Sequence, residues 1–167
     1  FDWYGREYGV PSIGVQTYRG VKMVTEKHII SIAKQIEALV EPLEAVIGTK
    51  LDEDKLKETV ALSRECSDLW KKVLDTASAK PSPLTFFDGT IQMGPAVVLR
   101  GTQQAVDYYK LLLKELEERI ENKEAAVADE RFRIYWDGMP VWGRLRAHSE
   151  LFSDLKACVL ASTYCNS

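Results

Sequence analysis

At 167 residues with 46% hydrophobic content, the chain is long enough for one packed domain or two small ones. Its 22 basic and 25 acidic residues give a net charge of −3, which excludes a dominant electrostatic footprint for nucleic acid or an anionic membrane. No apolar run approaches the ~20 residues that span a bilayer and no basic leader opens the chain, so it reads as soluble and unprocessed.

The opening, Phe1 to Tyr8, reads as the last turns of a helix, with Gly9 suited to the left-handed position that follows. Gly9 to Val15 is expected to be a turn followed by a short strand, and Gln16 to Gly20 a loop. From Thr25 to Ile47 apolar residues recur three or four apart (Ile29, Ile32, Ile36, Leu39 or Val40, Leu43, Val46), which predicts a helix. Pro42 removes a backbone donor, so a kink or break is expected near Leu39, and Gly48 ends the segment. Asp52 has the character of an N-cap for a second helix running to about Ala77, with Leu56, Val60, Trp70 and Val73 on one side.

Lys80-Pro81-Ser82-Pro83 breaks the pattern, and Leu84 to Gly101, punctuated by Gly89, Gly94 and Pro95, should hold one or two short helical turns. A third long helix is expected from Thr102 to Lys123 on the spacing of Val106, Tyr109, Leu113, Leu116 and Ile120. Glu115 to Glu130 holds seven acids against two bases and reads as a solvated helix end and linker. There is no internal repeat or low-complexity segment.

The last stretch is strand, turn, helix, strand. Phe132 to Trp136 and Cys158 to Ala161 are short apolar runs on either side of an amphipathic segment, whose Leu145, Leu151, Phe152 and Leu155 share a face. Such a unit usually has parallel strands and a right-handed crossover, so both carboxyl ends, Asp137 to Gly143 and Ser162 to Ser167, should open on one rim where ligands bind. Gly138 permits the bend and Pro140 fits the first turn of the helix. The loop is either a ligand loop or a plain structural turn. It is neither the three-glycine dinucleotide fingerprint nor a Walker A loop, which ranks a nucleotide-binding domain low.

No pair among Cys66, Cys158 and Cys165 has metal-motif spacing, so structural thiols are the default, with Cys165 set apart by its place on the rim. An odd number of wide-spaced cysteines argues for a reducing compartment. His28 and His148 read as structural or surface residues, Tyr108-Tyr109 as helix packing and Trp136 as core. No Ser-His-Asp or Cys-His set is recognisable.

Three segments together resemble the 2-hydroxyacyl-CoA dehydratase and benzoyl-CoA reductase superfamily: Tyr8-Gly9-Val10-Pro11, Leu43 to Asp52 followed by Leu56, and Arg133-Ile134-Tyr135-Trp136-Asp137-Gly138-Met139-Pro140. Their order spans the whole chain, and the last of them together with Ala161 to Ser167 looks closest to the B-type subunit of ATP-dependent benzoyl-CoA reductases. The resemblance implies an α/β protein with two Rossmann-like parallel-sheet domains and a large helical insertion. This chain would be an internal, mostly α piece of it: 1–21 the end of the first α/β domain, 22–128 the helical domain, 129–167 the start of the second α/β domain.

It further implies a cytoplasmic, oxygen-sensitive enzyme with a homologous second subunit, a 4Fe-4S cluster and a separate ATP-hydrolysing activator, acting on an acyl-CoA through a ketyl-type radical anion. The cluster's cysteines would lie outside this stretch, so none of Cys66, Cys158 and Cys165 matches a ligand position, and the piece alone should be inactive. The expected acyl-CoA wall is Gly138, Met139, Pro140 and Trp142, with Ser162 and Tyr164 opposite. A (R)-2-hydroxyacyl-CoA dehydratase subunit and a non-catalytic helical interaction module are the alternatives.

Overall fold

Eight helices and two strands succeed one another in the computed structural model, which describes residues 2–17 and 23–165. They belong to two compact units, Phe1–Glu53 and Asp54–Ser167. The first holds α1 (Asp2–Tyr8), α2 (Glu26–Glu37) and α3 (Val40–Ile47). Gly9 takes the left-handed conformation expected after α1, at φ 62°. The short strand expected within Gly9 to Val15 is not formed: a strand needs a ladder partner, and among the described residues none pairs with this segment. Residues 18–21 of the first expected domain, and with them most of the Gln16 to Gly20 loop, lie outside the described residues.

Pro42 acts as anticipated. The periodic run is broken at Ala38 and Leu39, and α3 starts afresh at Val40 so that Pro42 falls in its first turn, where the absent N–H has no helical partner to lose. Gly48 closes α3 in the left-handed region at φ 74°, its N–H bonded to Glu44 O at 2.8 Å. At the other end of α2, Thr25 N–H donates to His28 Nδ1 at 3.3 Å, which gives that histidine a capping role. No described side chain of the first unit is buried, and Ile29, Ile36, Val46 and Ile47 all stand exposed.

The second unit carries the core. It comprises α4 (Glu53–Asp75, reaching back one residue), a 3-10 turn at Thr76–Ser78, α5 (Phe86–Gln92), α6 (Gly94–Val98), α7 (Gln103–Glu121), β1 (Phe132–Trp136), a second 3-10 turn at Trp142–Arg144, α8 (Leu145–Asp154) and β2 (Ala157–Ser162). The buried residues of α4, Cys66, Leu69, Trp70 and Val73, all lie in its carboxyl-terminal half, whereas Leu56 and Val60 on the same side are exposed. Trp70 meets Tyr109 of α7 with ring centroids 5.3 Å apart, and Val106, Leu116, Phe86 and Phe87 complete the cluster. Each such side chain removed from water contributes about 1.5–3 kcal/mol.

Tyr109 is wholly buried and its hydroxyl does two jobs, accepting from Ala96 N–H at 2.9 Å and donating to Gln92 O at 2.8 Å. Ala96 lies in the first turn of α6, so the phenol satisfies a helix donor that has no partner within the helix. Burial pushes the Tyr109 phenol up to about 12.

The acidic stretch after α7 is not all solvated linker. Val127 is 2% exposed, and the Glu130 carboxylate accepts from Ser82 N–H at 3.0 Å and pairs with Arg133 at 2.5 Å. Arg133 also donates to the carbonyls of Ala77, Ser78 and Ala79, closing the end of the α4 segment with a forked guanidinium.

β1 and β2 form a two-stranded parallel sheet, with Phe132 opposite Ala157 and Trp136 opposite Ser162, and a register shift between Ile134 and Tyr135. The sheet packs on the helical core through Val159 and through Trp136, whose ring stacks on Phe86 at 5.5 Å and also meets Phe87 and Phe152. The molecule is thus mostly helical with a small parallel sheet, an arrangement compatible with an α/β fold.

Candidate ligand site

Parallel pairing places the ends of β1 and β2 side by side, and the two loops that leave them are tied together. Gly138, at φ 90° where side chains are strained, donates its N–H to Thr163 Oγ1 at 2.8 Å, and that hydroxyl donates to Asp137 Oδ1 at 3.0 Å. Thr163 N–H in turn donates to Trp136 O at 3.2 Å, extending the ladder past the strand ends. Trp136 Nε1 donates to Met139 O at 3.3 Å, which folds the loop back over the ring. Thr163 therefore latches the rim, a role its sequence position alone does not announce; the register opposite Asp137-Gly138 is the signal that finds it.

The rim brings several of the expected residues together. Trp142 stands half exposed with its ring edge-on to Tyr164 at 6.0 Å, so an aromatic pair bridges the two loops. Met139 is 66% exposed beside it, whereas Pro140 is buried and serves the turn. The helix begins later than Pro140 suggests: Val141 is non-helical at φ −81° and ψ 86°, a 3-10 turn starts at Trp142, and α8 starts at Leu145. The Gly138 N–H is committed to Thr163 and is not a donor for a ligand. Ser162 is 2% exposed, and its Oγ accepts from Tyr164 N–H at 3.2 Å and Cys165 N–H at 3.0 Å.

The thiols are all free and buried. Burial holds the Cys66 thiol above its ordinary value, and burial followed by the nearby Glu130 carboxylate pushes Cys158 up to about 11, so both stay protonated near neutrality. Cys165 lies beyond β2, its carbonyl accepting from Trp70 Nε1 at 3.2 Å and its sulfur 3.6 Å from Thr90 Oγ1. No grouping of three or more His, Cys, Asp or Glu side chains among the described residues is arranged to hold a metal ion, so these residues do not fit an iron–sulfur cluster. His148, on α8, lies 6.0 Å from the Trp136 ring. No described helix is long and apolar enough to cross a membrane.

A parallel strand pair with both carboxyl ends on one rim is the arrangement at which open α/β sheets in general take ligands, and the architecture here is compatible with that α/β class. Comparison with known proteins narrows the class. The chain matches the model of the 2-hydroxyglutaryl-CoA dehydratase, D-component family over residues 1–167 and belongs to that family. It is 36% identical to the B-type subunit of benzoyl-CoA reductase from Thauera aromatica over 98% of the chain and 40% of that protein. Against the (R)-phenyllactyl-CoA dehydratase alpha subunit of Clostridium sporogenes it is 32% identical over 97% of the chain and 41% of the relative. For the alpha subunit of (R)-2-hydroxyglutaryl-CoA dehydratase from Acidaminococcus fermentans the values are 32%, 93% and 33%. The chain thus spans well under half the length of these relatives.

Proposed function

We propose that this chain is part of a subunit of an ATP-dependent benzoyl-CoA reductase, an oxidoreductase that reduces the aromatic ring of an acyl-CoA, and that the β1–β2 rim is one wall of the acyl-CoA site. The observation that carries the reading is the Trp142–Tyr164 pair across two latched loops at the carboxyl edge of a parallel sheet, in a chain similar along nearly its whole length to a benzoyl-CoA reductase subunit. Met139, Trp142 and Tyr164, with Gly138, Pro140 and Ser162 shaping the loops, would hold the thioester end against the rim. Two Rossmann-like domains flanking a helical insertion (1–21, 22–128 and 129–167) remain the domain reading for the whole protein. It would be a cytoplasmic protein with a homologous second subunit and a separate ATP-hydrolysing activator. A 4Fe-4S cluster would supply low-potential single electrons, and its ligands would come from residues other than Cys66, Cys158 and Cys165, which are not grouped for it.

The dehydratase reading is supported by relatives of nearly equal identity. Incubating the reduced intact complex with benzoyl-CoA and with a (R)-2-hydroxyacyl-CoA separates the two by product mass: gain of hydrogen on the ring supports the reductase, loss of water from the hydroxyacyl compound the dehydratase. The helical interaction module finds support in the exposed apolar side chains of α2, α3 and the first half of α4. It predicts that the intact protein binds no acyl-CoA.

A further inference from the structure

A cavity of about 450 Å³ lies behind the rim, between α4, α5 and the carboxyl half of β2. That is the size of a small-molecule site rather than a packing defect. Leu74, Leu84, Phe86 and Leu160 supply apolar walls. Lys71 and Asp75 bring opposite charges to the same edge, so the cavity offers no net pull on a carboxylate-bearing ligand.

One buried polar side chain shared with the rim, Ser162, also lines this cavity. A hydroxyl has two lone pairs and one proton, and both lone pairs of Ser162 Oγ receive backbone N–H groups. The bond it can still make is therefore as donor, and two accepted bonds polarise the O–H towards making it. A ligand here meets the Ser162 donor between the apolar walls, with Lys71, Asp75 and Thr85 completing the polar part of the lining.

We infer that this cavity receives the acyl group of a neutral acyl thioester, aromatic or branched, with the Ser162 hydroxyl donating to its carbonyl oxygen, so that cavity shape sets which acyl-CoA is accepted. The inference rests on the acyl-CoA reading above and adds the seat of the acyl group and a specificity-determining residue.

Gly89 supplies the test, because a Cβ built on it would meet only Leu74 Cδ2 at 3.9 Å, an ordinary contact, and a longer side chain would extend into the cavity. Dissociation constants for benzoyl-CoA, acetyl-CoA and free CoA are measured on the intact multi-subunit complex, wild type against Gly89→Leu and Ser162→Ala. Filling the cavity should weaken benzoyl-CoA at least about tenfold and leave acetyl-CoA and free CoA within about twofold, on the scale of excluded apolar burial. Ser162→Ala should weaken both thioesters about tenfold and spare free CoA, as expected for one lost hydrogen bond.

Equal binding of benzoyl-CoA by wild type and Gly89→Leu, or equal weakening of all three ligands, overturns the cavity assignment while leaving the acyl-CoA reading standing. Failure of the wild-type complex to bind any acyl-CoA overturns the reading itself. Should Gly89→Leu not fold, Leu160→Trp fills the same space from the opposite wall and reads the same contrast.

Discussion

At the scale of single residues, Thr163 and Cys158 show how position sets chemistry. Thr163 Oγ1 accepts from Gly138 N–H and donates to Asp137, so Thr163→Val should remove about 1 kcal/mol of stability in urea unfolding while Thr163→Ser keeps it. An unchanged unfolding midpoint in the valine variant would mean that the latch contributes nothing. Cys158 carries a thiol whose folded pKa lies at about 11, raised first by burial from the ordinary 9.0. The folded state then holds the proton more tightly than the unfolded one. Stability should be full below pH 9 and fall as pH rises from about 9 towards about 11. Unfolding measured across that range should show a shallower fall in Cys158→Ala; identical slopes would remove the thiol as the cause. The sequence places Cys158 correctly on a strand, but its neighbour Glu130 reads as part of a solvated acidic run. Burial of that carboxylate depends on Ser82 and Arg133, 48 residues before it and three after, and no local pattern reports such a pairing.

At the scale of elements, periodicity is a good guide wherever the apolar face is covered by a neighbouring element. The break at Leu39, the helix of α7 and the short turns of α5 and α6 all follow from local spacing, Pro42 and the glycines. The failures are of another kind. The strand expected within Gly9 to Val15 has no partner among the described residues, and β structure is a property of pairs. Leu56 and Val60 continue the apolar side of α4 and yet stay exposed, because spacing defines a face without saying what covers it. Tyr109 links α7 to the α5–α6 junction, so Tyr109→Phe should cost about 1–3 kcal/mol by leaving the Ala96 N–H buried without a partner. Chemical denaturation measures it, and a loss below about 0.5 kcal/mol would show that the junction relaxes to let another acceptor in.

At the scale of the whole molecule, the strand, turn, helix, strand reading of the last stretch anticipates a parallel pair with a common rim, and the structure has that pair. The candidate site was legible only in outline. Trp142 and Tyr164 can be placed on the rim by their positions after the two strands, but their ring contact, the Thr163 latch and the seclusion of Pro140 depend on register and loop path. The late start of α8 has the same origin. The first unit exposes its apolar faces, and the chain covers only 33–41% of the three relatives compared.

The central claim, that the β1–β2 rim is a wall of an acyl-CoA site, is tested most directly by calorimetric binding of benzoyl-CoA to the intact protein and to its Met139→Ala, Trp142→Ala double variant, with free CoA as reference. Loss of an aromatic face and an exposed apolar side chain should weaken benzoyl-CoA by about 1–3 kcal/mol, roughly fivefold to 150-fold, and change free CoA little. Undiminished binding by a variant that unfolds at the wild-type midpoint would contradict the claim and return the rim to a structural turn.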